Sequence, residues 1–187
     1  MLELKNQVVL VTENGEPTGL AEKMEAHREG WLHLAFSIMV FRNTPSGREY
    51  LLQRRAMDKY HSGGLWTNTC CSHPMQNESF QTAAVRRMME ELGVAEELSY
   101  RMGDRFCYRA ELDNNLVEHE LDQILIGESA ELDVRLIPEE IMDYGWWPES
   151  RIEQLLANAP ETFTAWFPEV FLRVKRQLTR EMLEQVS

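Results

Sequence analysis

The sequence predicts one domain of mixed α and β structure, an α+β or mixed α/β sheet sandwich flanked by helices. Three observations carry this. The chain is 187 residues long, the size of a single domain. Its hydrophobic content of 43% is enough for a packed core. Short β-prone runs and one well-marked helix follow each other without regular β-α alternation. Residues 1–187 are therefore read as one domain, with 167–187 forming a C-terminal helix.

The elements follow in order. Val8-Val9-Leu10-Val11 is a short strand ending at an Asn14-Gly15 turn. Glu22 to Glu29 reads as a short helix with His27 near its end. Leu32 to Phe41 is apolar and β-prone, a central strand with His33 at its start. Asn43 to Gly47 turns the chain into a second strand, Tyr50 to Arg54, and Gly63-Gly64 forms an elbow. Ser79 to Leu92 is the best helix. Asn77 or Ser79 can cap it, and Gly93 sits where a left-handed residue ends a helix. Phe80, Ala84, Val85, Met88 and Leu92 share one face. Phe106 to Ala110 and Leu116 to Gly127 pair around Asp113-Asn114-Asn115. Tyr144 to Trp147 is a short strand, and Trp166 or Pro168 opens a final amphipathic helix.

Composition narrows the class of function. The formal charge of -12 argues against nucleic acid and anionic membrane surfaces as partners. No apolar run is long enough to cross a bilayer, and the N-terminus lacks the pattern of a signal peptide. Three cysteines, two of them adjacent, do not form a disulfide framework. A reducing cytoplasm and a monomer are expected.

Chemistry concentrates in Thr67-Asn68-Thr69-Cys70-Cys71-Ser72-His73-Pro74. In an extended chain, side chains two apart share a face. Cys71 and His73 can enter one pocket while Cys70 and Ser72 point away. A thiol is an acid or nucleophile, and an imidazole is a base or metal ligand. Glu118-His119-Glu120 lies in a strand candidate that puts both carboxylates on one face. Such a pair repels unless it is solvated, shares a proton or binds a cation. Taken singly, each of these short patterns more often has a structural role.

Glu78 and Arg86-Arg87-Met88-Met89-Glu90-Glu91-Leu92-Gly93-Val94 resemble the Nudix signature, Gly-x5-Glu-x7-Arg-Glu-U-x-Glu-Glu-x-Gly-U, where U is a bulky aliphatic residue. Carboxylates on one helix face hold Mg²⁺, which in turn holds a diphosphate. Ser72 stands where the first glycine belongs, and Arg87 replaces the glutamate of the Arg-Glu pair. Losing that carboxylate argues against a metal-rich hydrolytic centre.

The wider set resembles the type I isopentenyl-diphosphate isomerases, a family with the Nudix fold. Its carriers are Pro17-Thr18-Gly19 with Glu22-Lys23, His27, His33 to Ser37, Leu51 to Arg55, Leu65 to Asn68, Cys71-x-His73-Pro74, Glu90 to Gly93, Tyr108 to Ala110 and Glu118-x-Glu120. This resemblance implies a Nudix-like mixed β-sheet sandwich and interconversion of isopentenyl and dimethylallyl diphosphate by proton addition and removal. It implies Cys71 and Glu120 as the catalytic pair on opposite faces of the substrate. Tyr108 would hydrogen-bond Glu120, and Trp166 would face a carbocation. His27, His33, His73, Glu118 and Glu120 would hold Mn²⁺, Mg²⁺ or Zn²⁺, and Glu91 a Mg²⁺ that accompanies the diphosphate. Lys23, Arg55, Lys59 and Arg87 would contact the phosphates, concentrating positive charge in one cleft of an acidic protein. Two other readings compete: a Nudix pyrophosphohydrolase acting on a nucleotide, and a non-catalytic metal- or diphosphate-binding module.

Overall fold

The computed structural model describes residues 6–186. Residues 1–5, read above for a leader, and Ser187, at the end of the expected C-terminal helix, lie outside them. In chain order the elements are β1 (Gln7–Val11), β2 (Pro17–Glu22), α1 (Lys23–Glu29), β3 (His33–Thr44), β4 (Gly47–Arg55), β5 (Trp66–Thr67) and β6 (Cys70–Ser72). They continue with α2 (Phe80–Leu92), β7 (Tyr100–Glu111), β8 (Val117–Glu128), β9 (Ile141–Pro148), α3 (Glu149–Asn158) and α4 (Phe167–Val186).

β3 is the hub of a mixed sheet. One edge pairs β6 along its first half, with Ser37 opposite Cys71, and β4 along its second half. The other edge pairs β8 in parallel, with His33 opposite Glu120. β7 then extends the sheet antiparallel to β8, and β9 does the same beside β4.

Alternation along β3 divides the apolar residues between two layers. Phe36, Ile38 and Val40 join Cys70 and the α2 residues Ala83, Ala84, Met88 and Leu92. Met39 and Phe41 join Ile124 and Ile126 of β8, Ile152 of α3, and Phe167, Val170, Phe171 and Val174 of α4. The sheet is thus flanked by α2 on one side and the α3–α4 pair on the other; the sequence reading expected a mixed sheet flanked by helices but had no helix at α3. Val85 differs from expectation: it is only half-buried, and Ala83 takes the core position.

Helix ends follow their local chemistry. The Glu22 carboxylate accepts from the Met24 and Glu25 amides at 3.0 and 2.8 Å, capping α1 and aiming His27 inward. Ser79 caps α2 by accepting from the Thr82 amide at 3.1 Å, and Gly93 closes it with φ 61°. Ser79→Ala is expected to lower stability by about 1 kcal/mol, read as a lower urea midpoint with an unchanged slope.

The segment 56–64 leaves β4 and returns to β5 through a main-chain seam. The Arg55 amide donates to Leu65 O at 2.9 Å, and the Gly64 amide to Arg55 O at 3.1 Å. Gly63 is required here, because a Cβ would lie 2.3 Å from Met57 O.

Candidate active site

The face of β3 and β8 that packs under α4 is apolar at its middle and polar at one end. Ile124 and Ile126 belong to the core, while Glu118, Glu120 and Asp122 continue the same row of β8 toward the polar end. The α4 layer therefore seals the row on one side and leaves a small cavity of about 20 Å³, lined by Arg55, Tyr60, His61, Cys71, Ser72, His73, Glu118, Glu120 and Trp166.

Cys71 reaches this cavity as the alternation on β6 demands, while Cys70 is buried against α2. The Cys71 thiol donates to Asn68 Oδ1 at 3.0 Å, and its sulfur accepts from Trp166 Nε1 at 3.0 Å. The Asn68 amide nitrogen donates to Ile38 O and Cys70 O, both at 3.0 Å, which fixes its oxygen as the acceptor facing the thiol. Thr164 donates to Thr67 at 2.9 Å, and Thr67 to Asn68 Oδ1 at 2.9 Å, tying the root of α4 to the same network. Burial and the nearby Asp122 push the Cys71 thiol far up, so it keeps its proton. Trp166 is 2% exposed in the core, and its ring edge meets the cysteine.

Glu120 is buried between the His73 and Tyr108 donors, with the His33 ring beside it. Its Oε1 accepts from His73 Nε2 at 2.9 Å and lies 3.4 Å from His33 Nε2, and Oε2 accepts from Tyr108 OH at 2.8 Å. Burial alone would raise its carboxyl. The imidazoles outweigh burial and hold it low, so Glu120 is the ionised member of the Glu118–Glu120 pair. Glu118, pushed up by burial and by Glu120, takes the proton when no cation is bound.

The donor atoms of His27, His33, His73 and Glu120 lie within 4.8 Å of one another, and those of His27, His61 and Glu118 form an adjoining set. The tautomers of two imidazoles follow from chemistry. His27 Nδ1 faces Lys23 O at 2.7 Å and His33 Nδ1 faces Trp31 O at 2.8 Å. A carbonyl only accepts, so each Nδ1 carries the hydrogen and each Nε2 a lone pair. Both Nε2 atoms and Glu118 Oε2 are buried without a hydrogen-bond partner. Burial pushes His73 down to about 3 and also lowers His27, so both are neutral. Neutral imidazoles beside carboxylates, with orphaned lone pairs converging, fit a divalent metal.

Ser72 and His73 also line a second, wider cleft of about 190 Å³ with Lys23, Lys59, Arg86, Arg87 and Glu140. Lys59 and Arg87 are held there by ion pairs, Lys59 with Glu140 at 2.7 Å and Arg87 with Glu90 at 2.7 Å and with Glu91. Glu91 is buried and also accepts from Gln53 Nε2 at 3.0 Å. Burial would raise its carboxyl, but Arg87 and Lys59 hold it low. Arg55 lies apart from this cleft, on the small cavity, with its guanidinium 5.6 Å from the Trp166 ring and donating to His61 O at 3.1 Å.

The sequence reading missed four residues of the site. Asp122 continues the alternation Glu118-x-Glu120-x-Asp122 and was open to the same argument. It is buried, accepts from Ser37 Oγ at 2.6 Å, and is pushed up to about 8 by burial and by Glu120. Ser37 also lies 3.6 Å from the Cys71 sulfur. Asn68 sits within the quoted motif but had no role assigned. His61 comes from the 56–64 loop, where no periodicity signals it.

Known proteins resemble this chain in sequence and in fold. The NUDIX domain family matches residues 31–167. The chain is 51% identical over 178 residues to isopentenyl-diphosphate Delta-isomerase of Photobacterium profundum, covering 95% of this chain and 99% of that protein. It is 48% identical to the protein of the same name from Aliivibrio fischeri, covering 91% and 96%. In structure it is similar to DR0079 from Deinococcus radiodurans, with a TM-score of 0.68 at 18% identity over 89% of this chain and 98% of that one. It is also similar to the Nudix hydrolase RenU from M. smegmatis, with a TM-score of 0.60 at 22% identity over 92% and 94%. The distant structures share the fold, while the sequence relatives span nearly the full length at close to half identity. The chain belongs to the NUDIX family and, within it, to the isopentenyl-diphosphate Delta-isomerases.

Proposed function

We propose that the protein interconverts isopentenyl diphosphate and dimethylallyl diphosphate, with Cys71 and Glu120 on opposite faces of the five-carbon chain. The observation that carries this reading is the Cys71 thiol and the Glu120 carboxylate lining one cavity with Trp166, next to a separate cationic cleft. One of the pair adds a proton to the terminal alkene carbon, giving a tertiary carbocation. The other removes a proton from the carbon nearer the diphosphate, and the double bond shifts. In the reverse direction their tasks exchange. An alkene is a very weak base, so fixed placement of donor and acceptor supplies much of the acceleration. The Trp166 ring face stabilises the cation through its quadrupole. Tyr108 orients the Glu120 carboxylate.

Lys23, Lys59 and Arg87 receive the diphosphate in the wide cleft, and Arg55 approaches it from the side of the small cavity. His27, His33, His73, Glu118 and Glu120 would hold Mn²⁺, Mg²⁺ or Zn²⁺. Glu91, buried behind the cleft and paired with Arg87, would hold the Mg²⁺ that accompanies the diphosphate. When bound, the metal at the histidines supplies the positive charge that lets two neighbouring buried carboxylates stay ionised. The small cavity has room for about one water. Admission of the hydrocarbon therefore requires its walls to part and close again, which also excludes water from the cation.

Incubation with isopentenyl diphosphate and Mg²⁺ in deuterated water is expected to give dimethylallyl diphosphate carrying deuterium, seen by NMR. Brisk phosphate release from nucleoside diphosphate derivatives, with no isoprenoid conversion, would overturn this reading in favour of a pyrophosphohydrolase.

A further inference from the structure

We propose that His61 is a further protein ligand of the metal centre, so that one ion is held by His27, His33, His61, His73, Glu118 and Glu120. This rests on the metal reading above and extends it. His61 Nε2 lies 3.6 Å from Glu118 Oε1, and the donor atoms of His27, His61 and Glu118 fall within 4.8 Å of one another. His61 is 1% exposed, His27 0% and Glu118 5%. His27 Nε2, His61 Nε2 and Glu118 Oε2 each lack a hydrogen-bond partner. Burying such an atom unpaired is costly. Three orphaned atoms in one set, joined to a second set of donors through His27, are accounted for together by a cation.

The overlap at His27 argues for one ion rather than two. Its Nδ1 hydrogen is committed to Lys23 O, so only the Nε2 lone pair remains, and it serves a single ion. A separate second ion would be left with His61 and Glu118 alone. Glu118 and Glu120 stand two apart in β8, and both line the small cavity with His61 and His73.

His61 is also held ready for this task. Its carbonyl accepts from Arg55 at 3.1 Å, and the next amide, Ser62 N, donates to Asp113 Oδ1 at 3.0 Å. Its ring stands edge-on to Tyr60 at 4.4 Å and to Trp166 at 5.8 Å. Four imidazoles and two carboxylates fill an octahedron from the protein alone. A closed, nitrogen-rich shell disfavours Mg²⁺, which takes oxygen ligands, and leaves no position open to substrate.

The test uses the metal-free full chain titrated with Co²⁺ and followed by proton NMR. Each coordinated imidazole contributes one exchangeable N–H signal shifted far outside the ordinary range. Four such signals are expected in the wild type and three in His61→Gln, with Co²⁺ bound at least about tenfold more weakly by the variant. Three signals in the wild type, unchanged in His61→Gln, overturn the proposal even if binding weakens, because an outer partner does that too. A stoichiometry of two ions overturns it as well. The wild-type count needs no variant to fold. His33→Ala separates the two layers of the argument. If that change leaves Co²⁺ binding intact, the underlying metal reading fails; if it removes a signal while His61→Gln is silent, only the present inference does.

Discussion

Replacing Cys71 with alanine is expected to reduce isomerisation by about 10⁴-fold, the upper end of what a positioned acid or base contributes. The loss should fall on kcat, because Cys71 lies in the small cavity and not in the cationic cleft. The same change leaves Trp166 Nε1 without its partner, at about 1–3 kcal/mol, while Asn68 Oδ1 keeps the Thr67 hydroxyl. Lost folding and lost chemistry must therefore be told apart. Cys71→Ser does this: a hydroxyl can accept from Trp166 and donate to Asn68, but it is a far weaker acid. Both variants should be nearly inactive, with Cys71→Ser close to wild type in urea unfolding and both normal in metal content. Substantial turnover in either would refute the assigned role.

Glu120→Gln is expected to abolish turnover and lower metal content together, since one carboxylate serves both. The substitution keeps shape but removes charge from the oxygens that face His73, His33 and Tyr108. Glu118→Gln provides the contrast. Glu118 shares Tyr108 with Glu120, but its imidazole neighbour is His61, at 3.6 Å, rather than His73. Its variant should lose metal but recover most of its activity when metal is supplied in excess, whereas Glu120→Gln should stay inactive when fully loaded. Elemental analysis of the purified proteins, followed by assay with and without added Mn²⁺, distinguishes the two. Equal rescue of both would remove Glu120 from the chemistry.

Much of this site was legible because it lies on regular elements. The period of two placed Cys71 with His73 and Glu118 with Glu120, and the caps at Ser79 and Gly93 bounded α2. Where the backbone is regular, spacing reports direction. Edge and loop positions gave less. β2 carries Pro17 and Gly19 and is exposed along most of its length, so its strand form depends on pairing with β1. α3 went unread although Ile152, Leu155 and Leu156 have helical spacing, because it is short and directly follows β9. Convergence of His27, His33 and His73 also lay outside spacing. It depends on β3 and β8 running parallel in a register that sets His33 against Glu120, and on β6 lying along the other edge of β3. His61 reaches the site only through the path of its loop.

The seam that closes the 56–64 loop is made of main-chain atoms and so is indifferent to most side chains inside it. The loop can thus behave as an exchangeable insert on an unchanged frame. A change of side chain at position 61 is therefore expected to leave the β4–β5 pairing in register.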